Sequence, residues 1–461
     1  MNTTVVILAA GLGTRMRSKH AKVLHHAGGK ALVQHVVEAA LNITTPDRIV
    51  VVTGHQAERV EQQLADYEVR FVRQEGQKGT GHALESCRAA VSGLDGLLMV
   101  LYGDTPLLSR ETLAELRNSQ ASSQAAATLI TTTLEDPTGY GRVLLDPDDN
   151  VVAIVEEKAC SDEQRQIHLI NSGLYCFRAD LLWKHLREVQ PNAASGEYYL
   201  TDMAEILSYH GHRVARFQVD DSRELLGINT RVELAAADAV LRDHKSREWM
   251  LSGVTIERPE TVTIDGQAKA GMDTIIEPFA RILGNTKIGQ DCRIGAGAIL
   301  ENAVLEDGAV VAPYTIISDS SLAAGAQVGP FARLRMQAEV GPDARVGNFV
   351  ELKKTKLGAG SKSQHLAYLG DSEIGEKSNI GAGTITCNYD GQKKHKTQIG
   401  DGVFIGSNST LVAPVEIGNH AYVAAGSVIT DAVIAEALAL GRARQVVKPE
   451  WRKKRKAQQS E

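Results

Sequence analysis

Two hydrophobic periods divide the chain. Up to about residue 228, short β-branched runs at 5–9, 49–53, 69–73 and 97–101 alternate with amphipathic stretches at 32–40, 60–66 and 82–91. Strands feeding helices feeding strands predict a mostly parallel sheet covered on both faces, with ligands at the carboxyl ends of its strands. Residues 230–251 are rich in Ala, Leu, Glu and Arg and lack Gly and Pro, which predicts a long linking helix.

Beyond about Ile256 the spacing changes to six. Ile282, Ile288, Ile294 and Leu300 form one run, Val328, Leu334, Val340, Val346 and Leu352 a second, and Ile399, Ile405, Leu411, Ile417, Val423 and Ile429 a third. Six fits neither a strand's period of two nor a helix's 3.6, and Gly follows many of these positions, among them Gly289, Gly295, Gly347 and Gly406. This is the signature of hexapeptide repeats coiled into a parallel β-helix. Each repeat supplies a short strand and a turn, with one aliphatic pointing inward and a small residue at the corner, so three close a triangular coil. About eighteen residues per coil predict roughly eight coils between Ile282 and Ile429. The phase slips near Leu300 and Leu357, and residues 387–398, which carry no pattern, predict a protruding loop. The expected organisation is a domain at 1–228, a linker helix at 229–251, the repeat domain at 252–441 and a basic tail at 442–461.

Composition agrees with a narrow prism of aliphatics: aromatics make up only 5 % of the chain, beside 42 glycines. A formal net charge of −6 does not favour nucleic acid or anionic lipid, so neither is expected as a partner. The exception is 442–456, with eight Lys or Arg, which reads as a solvated, disordered terminus, an acidic partner being the alternative. Cys87, Cys160, Cys176, Cys292 and Cys387 form no C-x-x-C pair, so neither a cysteine zinc site nor a disulfide framework is expected and a reducing compartment fits. No apolar run approaches the ~18 residues of a membrane span, and the N-terminus lacks a signal-peptide pattern. A soluble, cytoplasmic protein without membrane insertion is the expectation.

Residues 5–16 read VVILAAGLGTRM, a strand running into a small-residue loop with a basic residue. Backbone N–H groups of such a loop approach a phosphate closely, and Arg15 can add a bidentate contact. The dinucleotide fingerprint fails, because Arg15 and Met16 follow Gly11 and Gly13 where a third Gly is needed, and no G-x-x-x-x-G-K-[ST] occurs in the region. Alone, the loop is equally a tight strand–helix turn.

The order of motifs is more specific. LAAGLGTRM at 8–16 is followed by KVL at 22–24, by Gln74 and GTGHA at 79–83, and by LYGDTPL at 101–107. PTGYGR at 137–142, IVEEK at 154–158 and INSG at 170–173 complete the series. It resembles the sugar-1-phosphate nucleotidyltransferases. That chemistry brings two anions together, a nucleoside triphosphate and a sugar phosphate, so its site needs cations and in-line alignment more than a covalent nucleophile. The resemblance implies that Lys22 and Arg15 supply positive charge. It implies that Leu8, Ala9, Ala10, Gly11, Gln74, Gly79, Thr80, Tyr102 and Gly103 frame the nucleotide, and that Gly139, Glu156 and Asn171 hold the sugar. It further implies that Asp104 and Asn229 bind Mg2+, a hard cation that prefers oxygen ligands. Without it, Asp104 reads as a turn cap and Asn229 as the cap of the helix that follows.

Between 328 and 391 the polar positions of the repeats group as FARLR (331–335), GNFVELKK (347–354), HLAYLGD (365–371) and NIGAGTITCNYDG (379–391). With these, the resemblance covers both domains and becomes one to the bifunctional bacterial N-acetylglucosamine-1-phosphate uridyltransferases / glucosamine-1-phosphate acetyltransferases. It implies a left-handed β-helix, an exception to the right-handed crossover rule, and a homotrimer whose neighbouring prisms share each acetyl-transfer site. His365 would be the general base that takes a proton from the attacking amine. Arg335, Lys353 and Lys394 would contact phosphate and sugar, while Glu351, Tyr368, Asn379, Asn388 and Tyr389 would frame the amino sugar and acetyl group. Acetyl-CoA would lie against Ala382, Asn388, Tyr389, Ser407, Ala425 and Arg442, where small residues admit a thin cofactor arm and an Arg suits its phosphates. The implied activity is N-acetylation of glucosamine-1-phosphate by acetyl-CoA. Uridylyl transfer from UTP to N-acetylglucosamine-1-phosphate follows, releasing pyrophosphate and UDP-N-acetylglucosamine, a cell-envelope precursor.

Four departures from the family pattern touch this reading: Ala21 for Pro before Lys22, Ser172 for Thr, Met336-Gln337 for Pro-Gly after Arg335, and Ala443-Arg444 for Val-Pro after Arg442. The absent prolines would remove a φ restraint beside Lys22, Arg335 and Arg442. Three alternatives stay open: a single-activity nucleotidyltransferase with a regulatory prism, a non-catalytic regulator of the same architecture, and a scaffold.

Overall fold

The strand Thr3–Leu8 is buried along its whole length, and its alternation sorts side chains between two layers. Val5 and Ile7 pack with Val33, Val36 and Val37 of the Leu32–Leu41 helix. Val6 and Leu8 pack on the opposite side with Leu84 of Thr80–Ser86 and Leu182 of Ala179–His185. A strand apolar on both faces must be covered twice, and here helices cover both. The sheet runs in the order Val214–Gln218, Ala127–Thr133, Leu169–Arg178, Leu97–Tyr102, Thr3–Leu8, Ile49–Thr53, Arg70–Arg73. Its last four strands are parallel, and Leu169–Arg178 enters antiparallel beside Leu97–Tyr102. Because the parallel strands end together, the segments leaving them lie side by side: Ala9 N–H donates to Val52 O at 2.9 Å, Gln74 N–H to Thr53 O at 2.8 Å and Gly103 N–H to Leu8 O at 3.0 Å.

The computed structural model describes residues 2–193 and 195–458, and the chain divides into two units, Met1–Arg242 and Asp243–Glu461. The division falls inside the helix Arg231–Leu251. The second unit is a left-handed parallel β-helix with three faces of 11, 10 and 9 strands. It begins at Thr255–Ile256, ahead of the Ile282 run, because Ile256 and Ile264 are inward positions separated by a longer corner that breaks the six-residue period.

The phase slips have a single location. Ile276 pairs with Ile294, Ile288 with Leu305 and Ile374 with Ile399, so an inner coil takes 18, 17 or, at the insertion, 25 residues, while the first coil, Ile256 to Ile276, takes 20 and the last, Val423 to Ala439, takes 16. In the inner coils the missing residue is always lost between the second and third faces, where Leu300 is followed by Leu305 and Leu352 by Leu357. The 387–398 loop leaves at the same corner, between Ile385–Cys387 and Thr397–Ile399. Two residues before each inward aliphatic sits a second buried residue that is small or modest in size, such as Thr286, Cys292, Ala298 and Ala303, which lets the corner close over the core.

The tail departs from the predicted disorder. Trp451–Gln458 is helical, with the Arg455 guanidinium 5.0 Å from the Trp451 ring centroid, as suits a Lys- and Arg-rich segment without Gly or Pro. Residues 459–461 of the expected tail lie outside the described residues.

Candidate active sites

In the first unit the predicted residues converge on Lys22. Its ammonium bonds the Asp104 carboxylate and lies 2.9 Å from Asn229 Oδ1, with Lys22 and Asp104 largely buried. Gly13 makes this position reachable: it has φ +61°, and a Cβ there would stand 2.5 Å from Lys22 Cβ. Asp104 follows the Leu97–Tyr102 strand, and its carbonyl accepts the Ile228 N–H at 2.9 Å, tying the segment that carries Asn229 to that strand end. The helix-cap reading of Asn229 is overturned. Thr230 and Glu233 form the capping box: Glu233 N–H donates to Thr230 Oγ1 at 3.2 Å, and Glu233 Oε2 accepts from the N–H groups of Thr230 and Asn229 at 2.8 and 2.6 Å. The Asn229 side chain is thereby free to face Lys22. Asp104 likewise spends its carboxylate on Lys22 rather than on a turn.

Around this centre, Leu8, Ala9 and Ala10 are buried where the first strand ends, whereas Gly11 and Arg15 are exposed. Gln74 is buried and donates to Gly79 O at 3.1 Å, and Thr80 Oγ1 accepts the Leu200 N–H at 3.0 Å. Burial pushes the Tyr102 phenol above the usual tyrosine range, with the Asp104 charge adding to it. Of the residues predicted to hold the sugar, Asn171 donates from Nδ2 to the Tyr175 hydroxyl at 2.8 Å, and Glu156 Oε1 accepts from Thr201 Oγ1 at 3.4 Å. Burial raises the Glu156 carboxyl, and burial followed by Glu205 and Glu156 pushes Asp202 up to about 6. Burial, followed by the Glu233 charge, raises the Tyr140 phenol, with Arg15 opposing and Asp104 adding to it. Thr201, Asp202 and Tyr140 were missed in the sequence. Thr201-Asp202 looks locally like any helix start, and only Tyr140's place in the 137–142 motif hinted at a role.

In the second unit the predicted residues fall at two corners. Between the second and third faces, Lys353 Nζ bonds Asp371 Oδ2 at 2.7 Å, both side chains nearly buried, and Asn388 Nδ2 donates to the same oxygen. Gly370 leaves room for them, since a Cβ there would stand 2.5 Å from the Tyr368 hydroxyl and 2.7 Å from Asn388 Nδ2. Burial opposes ionisation of Asp371, but the bonds from Lys353 and Asn388 hold its carboxyl below the usual range. Lys394 comes from the 387–398 loop, bridged to Tyr389, and the Lys353 charge holds it below the usual lysine range. Tyr389 itself is exposed, its hydroxyl donating to Gly391 O at 2.6 Å. Beside Lys353 in register, Arg335 Nε bonds Glu351 Oε1 at 2.7 Å. Three cations against two carboxylates leave a positive corner suited to a phosphate.

Between the first and second faces, His365 Nδ1 lies 2.9 Å from Oδ1 of Asn348, its neighbour in register. Ala382, Ser407 and Ala425 follow in successive coils, joined by Asn408 N–H to Ala382 O at 2.7 Å and Gly426 N–H to Ser407 O at 2.8 Å. Arg442 reaches the top of this column, its Cδ 4.0 Å from where a Gly426 Cβ would stand. Tyr368 and Glu351 pair on the second face. Asn379 is not gathered with either corner: it faces outward on the first face between Lys362 and Phe404. Asn348 and Asp371 had no role in the sequence reading, although both lie inside its motifs.

The backbone at two of the proline departures differs in kind. Ala21 has φ −54°, the value proline would impose, and its N–H donates to Gln56 Oε1 at 3.0 Å. Met336 and Gln337 have φ of +55° and +62°, and proline could not adopt the first, so at this corner the departure goes with a backbone path that the family's Pro does not allow.

The chain matches two family models: a MobA-like NTP transferase domain over residues 5–187, and bacterial transferase hexapeptide repeats over 271–302 and 396–431. It is 56 % identical to the bifunctional protein GlmU of Solibacter usitatus, covering 98 % of this chain and 97 % of the relative. It is 48 % identical to that of Koribacter versatilis over 99 % and 97 %, and 45 % identical to that of Shouchella clausii over 97 % and 98 %.

Proposed function

Because the chain belongs to the GlmU family and carries its two transferase activities, acetyl transfer to glucosamine-1-phosphate and uridylyl transfer to the product, we propose that each activity occupies one stretch of the chain. Uridylyl transfer belongs to 1–228, acetyl transfer to 252–441, and 229–251 is the helix that links them. The observation that carries this reading is the convergence of Lys22, Asp104 and Asn229 in one unit and of Lys353, Asp371, Asn388 and Lys394 in the other.

The Asp104 carboxylate and Asn229 Oδ1 are hard oxygen donors already arranged around a cation, the Lys22 ammonium, so this donor set fits Mg2+. Asp104 and Asn229 would hold Mg2+ there, and the ion would supply positive charge against the phosphates. Lys22 and Arg15 add positive charge for the UTP phosphates, and Glu156 and Asn171, with Thr201, hold the sugar hydroxyls while its phosphate oxygen attacks the α-phosphorus and pyrophosphate leaves. In the second unit Asn348 Oδ1 accepts the His365 Nδ1–H, which leaves Nε2 unprotonated to take the proton from the attacking amine as the thioester carbonyl is converted to an amide and the CoA thiolate departs. Arg335, Lys353 and Lys394 hold the sugar phosphate, and acetyl-CoA runs along Ala382, Ser407 and Ala425 to Arg442. The assay that tests this supplies glucosamine-1-phosphate, acetyl-CoA, UTP and Mg2+ and omits one at a time. UDP-N-acetylglucosamine forms only in the complete mixture. Conversion of supplied N-acetylglucosamine-1-phosphate alone would reduce the prism to a scaffold.

The working form in this reading is a cytoplasmic homotrimer. At the corner between the first and second faces, Tyr314, Phe331, Phe349 and Leu366 repeat coil after coil, with Phe279 two coils before Tyr314 and Gly297 between them, each of the five side chains at least half exposed and the Tyr314, Phe331 and Phe349 rings stacked. An apolar ladder of this length calls for a partner surface. Phe331→Asp should convert trimer to monomer in light scattering and depress acetyl transfer, with uridylyl transfer retained. A variant still trimeric would place the interface elsewhere. The five cysteines are free, as a reducing compartment allows, and among the described residues no helix is long and apolar enough to cross a membrane.

A further inference from the structure

A third constellation involves none of these residues. His185 and Glu188 stand three apart where the Ala179–His185 helix passes into the Leu186–Glu188 turn, a spacing that puts both on one side. His210 and His212 follow the helix Asp202–Tyr209 and flank Gly211, whose φ of +72° turns the chain so that His212 N–H donates to Leu207 O at 2.9 Å. The two segments meet at Glu188: Oε1 lies 2.7 Å from His185 Nδ1 and Oε2 lies 2.7 Å from His210 Nε2. The His185 and His210 ring centroids are 4.2 Å apart, and that of His212 is 5.4 Å from His185. One ligand atom from each of His185, Glu188 and His210 falls within 4.8 Å of the others.

We infer that His185, Glu188 and His210 bind a divalent transition-metal ion, with Zn2+ the best match, at a site that clips the Leu186–Glu188 turn to the end of the Asp202–Tyr209 helix. Two imidazole nitrogens and a carboxylate oxygen form a borderline donor set that suits Zn2+ and does not suit Mg2+, which prefers oxygen alone. His185 is buried and fixed, while Glu188 and His210 are partly open to solvent, so the site has a rigid base and an entry path. Three ligands leave the fourth tetrahedral position to water or to His212. The carbonyl end of the Asp202–Tyr209 helix adds a favourable field for a cation. The bland alternative is that Glu188 merely accepts hydrogen bonds from two histidines. The two readings differ in whether metal replaces the two imidazole protons.

The test uses the full-length, tag-free chain stripped with chelator and dialysed against Zn2+ or Co2+, beside His210→Ala and Glu188→Ala. Both replaced side chains are partly exposed and neither is among the residues proposed for the chemistry, and unchanged uridylyl transfer verifies their folding. The wild type is expected to hold one more Zn2+ per chain than either variant, to show the visible bands of tetrahedral Co2+, and to gain melting temperature with Zn2+. Affinity at this site should fall at least about tenfold in each variant. Equal metal content in wild type and His210→Ala, at any level including zero, overturns the assignment and leaves a hydrogen-bonded clamp.

Discussion

His365→Ala is expected to lower acetyl transfer by about 10²- to 10⁴-fold, the range a positioned general base contributes, and to leave uridylyl transfer at the wild-type rate. The loss should fall on kcat. The positive corner of Arg335, Lys353 and Lys394 does not include His365, so KM for glucosamine-1-phosphate should change little. Asn348→Ala provides the companion measurement. Its oxygen holds the Nδ1 proton, so removing it frees the ring to adopt either tautomer and should lower kcat less than His365→Ala does, while altering the pH profile of acetyl transfer. Steady-state rates across pH for the two variants check both statements. Full acetyl transfer in His365→Ala would move the base to another residue.

Asp104→Ala carries the second large effect. Among the described residues Asp104 is the one carboxylate bonded to Lys22, and both side chains are at most 15 % exposed. Without it Lys22 is left with the neutral Asn229 oxygen alone, and the anionic member of the donor set is gone. An oxygen ligand of this kind supports several kcal/mol of charge stabilisation in the transition state, and each 1.36 kcal/mol is tenfold in rate, so uridylyl transfer should fall by about 10³-fold or more. Asp104→Asn, which keeps an acceptor but loses the charge, should fall between. Acetyl transfer serves as the internal control for folding, because the residues proposed for it lie in the other unit. Retained uridylyl transfer in Asp104→Ala would displace the site.

How much of this was legible can be read from particular elements. Thr3–Leu8, Ile49–Thr53 and Leu97–Tyr102 appear in the sequence as β-branched runs within a residue or two of their ends, since a strand buried on both faces has to be continuously apolar. The six-residue period marks the prism because each coil repeats the same inward position. The Trp451–Gln458 helix was not legible, because a run of charges has the composition of a solvated tail whatever its backbone does. Asn229 was ambiguous for a local reason: Asn, Thr and Glu at 229, 230 and 233 all suit a helix start, and which one caps is decided by hydrogen bonds that the sequence does not display.

By itself the sequence determined the two periods and the order of the motifs and hence the two folds, because periodicity and motif spacing are properties of neighbouring residues, while the two chemistries came with the family resemblance that those motifs carry. Tertiary structure alone decided the meetings. Lys22 reaches Asp104 across 82 positions and Asn229 across 207, through the common edge at which parallel strands end. All length changes of the inner coils gather at one corner, which turns an irregular spacing into the wall that holds Lys353, Asp371, Asn388 and Lys394. His365 acquires Asn348 only because the coil brings them into register, and Glu188 acquires two histidines only because a turn and a helix end pack together. Side-chain pairs of this kind are set by the path of the backbone between them, and a linear pattern contains no measure of that path.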